Sequence, residues 1–88
     1  MIGMAEQTTY QVLYWREIPA QIRVYANSRP KSYQLPERFQ LKIDRIAMEE
    51  GLANTDAYLE QWRWTDKATR EGEPEKVAQQ LIEELSSD

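Results

Sequence analysis

The sequence predicts an α+β fold: a three-stranded, mainly antiparallel sheet with two helices on one face, in the order β-β-α-β-α. Three observations lead there. An early stretch alternates large β-forming residues, and a middle stretch repeats apolar residues at helical spacing between a proline and a glycine. A last stretch carries a narrow apolar stripe behind another proline.

The first strand runs from Thr8 to Arg16, dense in β-branched and aromatic side chains. Tyr10, Val12 and Tyr14 point one way and Gln11, Leu13 and Trp15 the other, so both faces are partly apolar. Pro19 has no amide proton for a ladder and marks a turn. Ala20 to Ala26 then alternates, with Ile22, Val24 and Ala26 toward the core and Gln21, Arg23 and Tyr25 opposite. The short connection makes an antiparallel hairpin the simplest pairing. Asn27 to Pro30 reads as a turn.

A helix follows over 36–50. Pro36 suits its first position, and Glu37 sits in the first turn, where a negative charge complements the helix dipole. Phe39, Ile43, Ile46 and Ala47 recur at helical spacing. Gly51 suits the left-handed position of a Schellman stop, with Leu52 folding back on the last turn. Asn54, Thr55 and Asp56 are capping types, which predicts a short helical turn at 55–60. Gln61 to Thr65 alternates strictly, placing Trp62 and Trp64 on one face of a third strand. After a polar loop over 66–73, Pro74 starts a last helix striped by Val77, Ala78, Leu81, Ile82 and Leu85. Residues 1–7 are expected to be flexible, and 8–86 to form a single domain, with Ser86 to Asp88 fraying at the end.

The 88-residue chain is small for a self-sufficient core. It has 11 basic and 15 acidic residues, a net charge of −4, which argues against binding nucleic acid by phosphate neutralisation. The charge is polarised. Residues 1–47 hold seven basic and four acidic side chains, and residues 48–88 hold four basic and eleven acidic ones. That is either a solvated acidic face on the last helix or a bipolar surface that steers a partner. Histidine and cysteine are absent, which removes disulfides, thiol and imidazole catalysis and the common zinc, haem and iron–sulfur ligand sets. No bound metal or cofactor is expected. No apolar run reaches the roughly 18 residues of a membrane span and no signal-peptide core follows Met1, so a cytoplasmic protein is expected.

Four groups of residues invite a functional interpretation. Trp15, Arg16, Glu17, Pro19 and Gln21 place an aromatic, two charges and a rigid turn together, as interface hot spots do, or Trp15 fills the core edge with ordinary charges beside it. Arg38, Lys42 and Arg45 share one helix face, at a spacing where like charges repel. They either meet an acidic partner, a phosphate or the acidic C-terminal helix of the same chain, or form a solvated face with Glu49 beside Arg45. Trp62 and Trp64 are either a stacking platform for a base or sugar, or core. Asp44, Glu49, Glu50, Asp56 and Glu60 are carboxylates on expected surfaces with no visible reason for a shifted pKa, and Ser28 and Ser32 have no activating base. An enzyme is not expected.

The runs Tyr14-Trp15-Arg16-Glu17-Ile18-Pro19-Ala20-Gln21, Leu35-Pro36-Glu37-Arg38-Phe39 and Asp56-Ala57-Tyr58-Leu59 with Trp62 resemble the small bacterial domain family described as a virulence factor. Ile43-Asp44, Ala47 and Gly51 match at the family's spacing. The resemblance covers about residues 10–65. It implies a bacterial, intracellular protein of undefined molecular activity, more an accessory or interaction domain than an enzyme, and it supplies no catalytic residues. The expected partner is therefore another protein, met through Trp15, Arg16, Glu17, Pro19 and Gln21 together with Arg38, Lys42 and Arg45. The alternative is a small-ligand or nucleotide-binding domain built on the aromatic residues and the basic helix face. An exposed flat patch favours the first, and a concave pocket joining the tryptophans to the arginines favours the second.

Overall fold

A computed structural model describes residues 6–26 and 29–87. Strands β1 (Gln7–Trp15) and β2 (Ile18–Ala26) form the expected hairpin, followed by β3 (Arg29–Gln34) and helix α1 (Glu37–Glu49). Helix α2 (Asp56–Glu60), strands β4 (Trp62–Trp64) and β5 (Ala68–Glu71), and helix α3 (Pro74–Ser86) complete the chain. The sheet is antiparallel in the order β3-β2-β1, with β4 and β5 sharing the far edge of β1.

The sheet therefore has five strands rather than three. The two that the sequence did not announce, β3 (RPKSYQ) and β5 (ATRE), are mostly polar edge strands. An edge strand gains its place from backbone hydrogen bonds on one side and needs no alternating apolar face. Arg29 and Pro30, expected in a turn, are the first residues of β3, while Asn27 and Ser28 lie outside the described residues. Of the stretch expected to be flexible, residues 1–5 lie outside the description, whereas Gln7 opens β1 opposite Glu71. Ser86 is the last residue of α3 rather than a frayed end.

A single bulge decides which residues are buried. β1 runs regularly along β4, with Leu13 opposite Trp64, Tyr14 opposite Arg63 and Trp15 opposite Trp62. Val12 and Tyr14 thus share one face, and Leu13 and Trp15 share the other. Across the hairpin, Leu13 pairs with Gln21 but Tyr14 pairs with Pro19, so Ala20 is the extra residue of β2. Beyond it the phase of β2 is reversed. Ile22 lies opposite Val12 on the first face, and Ile18 lies opposite Trp15 on the second.

Each face consequently has its own core and its own helix. Val77, Ala78 and Leu81 of α3 pack with Val12, Ile22, Val24 and Leu35. Ile43 and Ala47 of α1 pack with Trp15, Ile18 and Ala20. The helices therefore cover opposite faces at opposite ends of the sheet, not one common face as the sequence pattern suggested. Phe39 touches both clusters and joins them. This arrangement stretches the molecule to 56 × 25 × 16 Å, with a radius of gyration of 15.1 Å. A compact chain of this length would have about 12 Å.

The helix ends follow the local sequence. At the end of α1, Leu52 N–H donates to the Ala47 carbonyl and Gly51 N–H to that of Met48, the paired bonds of a Schellman stop, with Gly51 at φ 70°. Thr55 caps α2 by accepting the Tyr58 N–H. Pro74 occupies the first turn of α3. Gly72 before it has φ 127°, and its N–H reaches the Glu6 carbonyl at 2.7 Å while its own carbonyl accepts from the Thr8 hydroxyl at 2.7 Å. No helix among the described residues is long and apolar enough to cross a membrane.

Candidate functional site

Trp15 is a core residue. Its side chain is 0% exposed, and its indole N–H donates to the Tyr58 carbonyl at 3.0 Å. The Tyr58 ring lies against it, with centroids 5.7 Å apart, and Trp62 meets the edge of that same tyrosine. The sequence left Trp15 open between an interface hot spot and the core edge, and the structure puts it in the core. Here α1 and α2 close over it because the bulge at Ala20 turns Ile18 to its side.

The rest of that segment scatters. Arg16 and Glu17 form a two-residue hairpin turn in which Arg16 has φ 56°, a conformation that costs a residue with a side chain about 1 kcal/mol. Arg16 is held there by two hydrogen bonds to Glu50, at 2.8 and 2.7 Å, and by its own stacking on Trp15 at 4.7 Å. The hydrogen bond from Arg16 holds the Glu50 carboxyl below its ordinary range, and the same bond raises the guanidinium. Glu17 is exposed at the turn, half-buried Pro19 faces Tyr14, and Gln21 lies on the second face beside Leu13.

Arg38, Lys42 and Arg45 do lie on one exposed side of α1, around a shallow groove with Phe39 and Leu41. Arg38 stacks over Phe39 at 4.8 Å and donates to the Ser86 carbonyl, tying α1 to the end of α3. Arg16 grips the opposite end of α1. Arg38 is twelve positions from Glu50, about 18 Å of helix, whereas Arg45 is five positions from it, about 7.5 Å, so the helix face runs from near the turn to the far end of α1.

Trp62 and Trp64 do not share one pocket among the described residues. Trp62 packs into the α1 core. Trp64 lines a separate surface depression with Arg16, Arg63 and Asp66. The carboxylates Asp44, Glu49, Glu50, Asp56 and Glu60 are all exposed, and among the described residues no three acidic groups gather where a metal would be held.

The structure instead brings together a surface that the sequence did not single out. Among the described residues, only α1 and α2 pack on the second face, at the Trp15 end. Beyond them Leu13, Trp64, Gln21, Arg23, Gln11 and Tyr25 follow one another across β4, β1 and β2. The Arg23 guanidinium lies 4.2 Å over the Trp64 ring, and the Lys67 ammonium 4.7 Å over Tyr25. Tyr25 in turn donates its hydroxyl to Gln11 at 2.5 Å, and Gln11 donates to the Thr65 carbonyl at 2.9 Å. Among the described residues neither Arg23 nor Lys67 is in an ion pair, unlike Arg16 with Glu50 and Arg70 with Glu84. Both cations thus lie over aromatic rings and, among the described residues, in no ion pair. The alternation of Arg23 and Tyr25 against Ile22 and Val24 was the visible signal. Trp64 and Lys67 join them only through strand pairing.

The family model described as a virulence factor matches residues 13–88. No curated protein and no solved structure matches the chain.

Proposed function

We propose that the chain, which belongs to the virulence-factor family, works as a non-catalytic cytoplasmic interaction domain. In this role it is an accessory subunit that holds an acidic patch of another protein against its uncovered sheet face. What supports this reading most is the pair of cations, Arg23 and Lys67, which lie over the rings of Trp64 and Tyr25 and, among the described residues, are in no ion pair. A guanidinium pinned on an indole keeps its N–H edges free for a carboxylate and has little freedom left to lose on binding. Tryptophan, tyrosine and arginine are also the residue types that most often dominate interface energy. Gln21, Leu13 and Gln11 supply polar and apolar contact around them. Arg16 and Arg38, already engaged within the fold, are the weaker candidates.

The test is capture of partners from the source organism by the wild-type chain and by an Arg23→Glu/Lys67→Glu variant shown by thermal melting to stay folded. Partners held through this face should be lost from the variant, and their recovery by wild type should fall as salt rises. Equal recovery by the folded variant would defeat this function for the face.

A further inference from the structure

We infer that the groove between α1 and α2 is a second docking site, which takes a basic amphipathic segment of a partner protein. The groove has a volume of about 630 Å³. Its floor is apolar: Ala47, Met48, Tyr58 and Leu59. Met48 is 71% exposed and Leu59 63%, two of the three large apolar side chains left in water among the described residues. One such residue needs no explanation, but two that line one groove together with Ala47 and Tyr58 make an apolar strip. Met48 lies on the side of α1 away from Ile43, so it contributes nothing to the core.

The rim chooses the occupant. Asp44 on α1 and Asp56 on α2 line the groove beside the strip, and no cationic side chain is among its lining residues. Asp44 is steadied by a hydrogen bond from Gln40 at 3.0 Å. The wall is stiff because Tyr58 is wedged between Trp15 and Trp62. An apolar strip beside two carboxylates complements a segment that carries leucine-like side chains on one side and lysine or arginine next to them. The charge is opposite to that of the Arg23 and Lys67 face, so the two surfaces select different partners or different parts of one partner.

The probes are two synthetic peptides with the same helical leucine pattern, one with lysines and the other with glutamates on its polar side. Each is titrated by fluorescence anisotropy into the full chain, Met48→Gln/Leu59→Gln, Asp44→Lys/Asp56→Lys and Arg23→Glu/Lys67→Glu, all checked for unchanged melting. The lysine peptide should bind the sheet-face variant, which lacks the Arg23 and Lys67 site for acidic segments, at least about tenfold more tightly than the glutamate peptide. Both groove variants should weaken it by about tenfold or more, and the charge-reversed one should come to prefer the glutamate peptide. The sheet-face variant should bind the lysine peptide as wild type does. Equal binding of the two peptides by the sheet-face variant, no binding of the lysine peptide, its retention by either groove variant, or its loss in the sheet-face variant would each overturn the proposal. So would sedimentation showing a dimer that both groove variants dissolve, because the occupant would then be a second copy.

Discussion

Replacing Trp15 with alanine should cost about 3–5 kcal/mol, the usual range for truncating a buried tryptophan. The structure supports that magnitude from its own contacts. The side chain is 0% exposed. An aromatic side chain buries roughly 150–250 Å², which at about 25 cal/mol/Å² gives about 4–6 kcal/mol as an upper bound. Total stability for a chain of this size is about 4–13 kcal/mol at 0.05–0.15 kcal/mol per residue, so the alanine variant keeps little margin. Trp15→Phe separates packing from hydrogen bonding. It leaves a ring against Tyr58 and loses the bond to the Tyr58 carbonyl, which still accepts from the Gln61 N–H at 3.3 Å. Because that acceptor is not orphaned, the phenylalanine variant should lose only about 1–2 kcal/mol. Equilibrium urea unfolding followed by far-ultraviolet circular dichroism measures both. A loss below about 1 kcal/mol for Trp15→Ala would refute the burial argument, since surface truncations fall in that range.

Two further outcomes follow from the ion pairs. Arg16→Gly and Arg16→Ala both remove the contact with Glu50, but only glycine relieves the φ of 56°. The glycine variant should therefore be the more stable by about 1 kcal/mol in the same urea assay, and equal stability would show that the turn relaxes. Glu50 and Glu84 are held below the ordinary glutamate range, first by hydrogen bonds from Arg16 and Arg70. Because their folded pKa values are depressed, their stabilisation is present above the unfolded value of about 4.3 and fades as pH falls through the folded value. Both pairs are surface-exposed and screened by salt, so the effect is small. A Glu50→Gln/Glu84→Gln variant should differ from wild type at neutral pH and converge with it in acid, as read by thermal melts. A gap that persists unchanged to low pH would contradict this assignment.

What the sequence determined by itself was local. Alternation from Thr8 onward and from Ala20 to Ala26 specified the hairpin, because a strand's period of two is written in adjacent residues. The spacing of Phe39, Ile43, Ile46 and Ala47, closed by Gly51, specified α1 down to its stop. Pro74 and the stripe from Val77 specified α3. The runs from Tyr14 to Trp62 were enough to place the chain in its family. Everything that depended on register was decided by the tertiary structure. One unpaired residue, Ala20, reverses the phase of β2, and with it sends α1 and α3 to opposite faces and closes the first of those helices over Trp15. A bulge has no local hydrophobic signature, since it is visible only against the partner strand. The polar strands β3 and β5 were equally silent, because their place rests on backbone hydrogen bonds to β2 and β1. For the same reason Arg23, Trp64, Tyr25 and Lys67, spread over 45 positions from first to last, became one surface only when β1 was paired on both its edges.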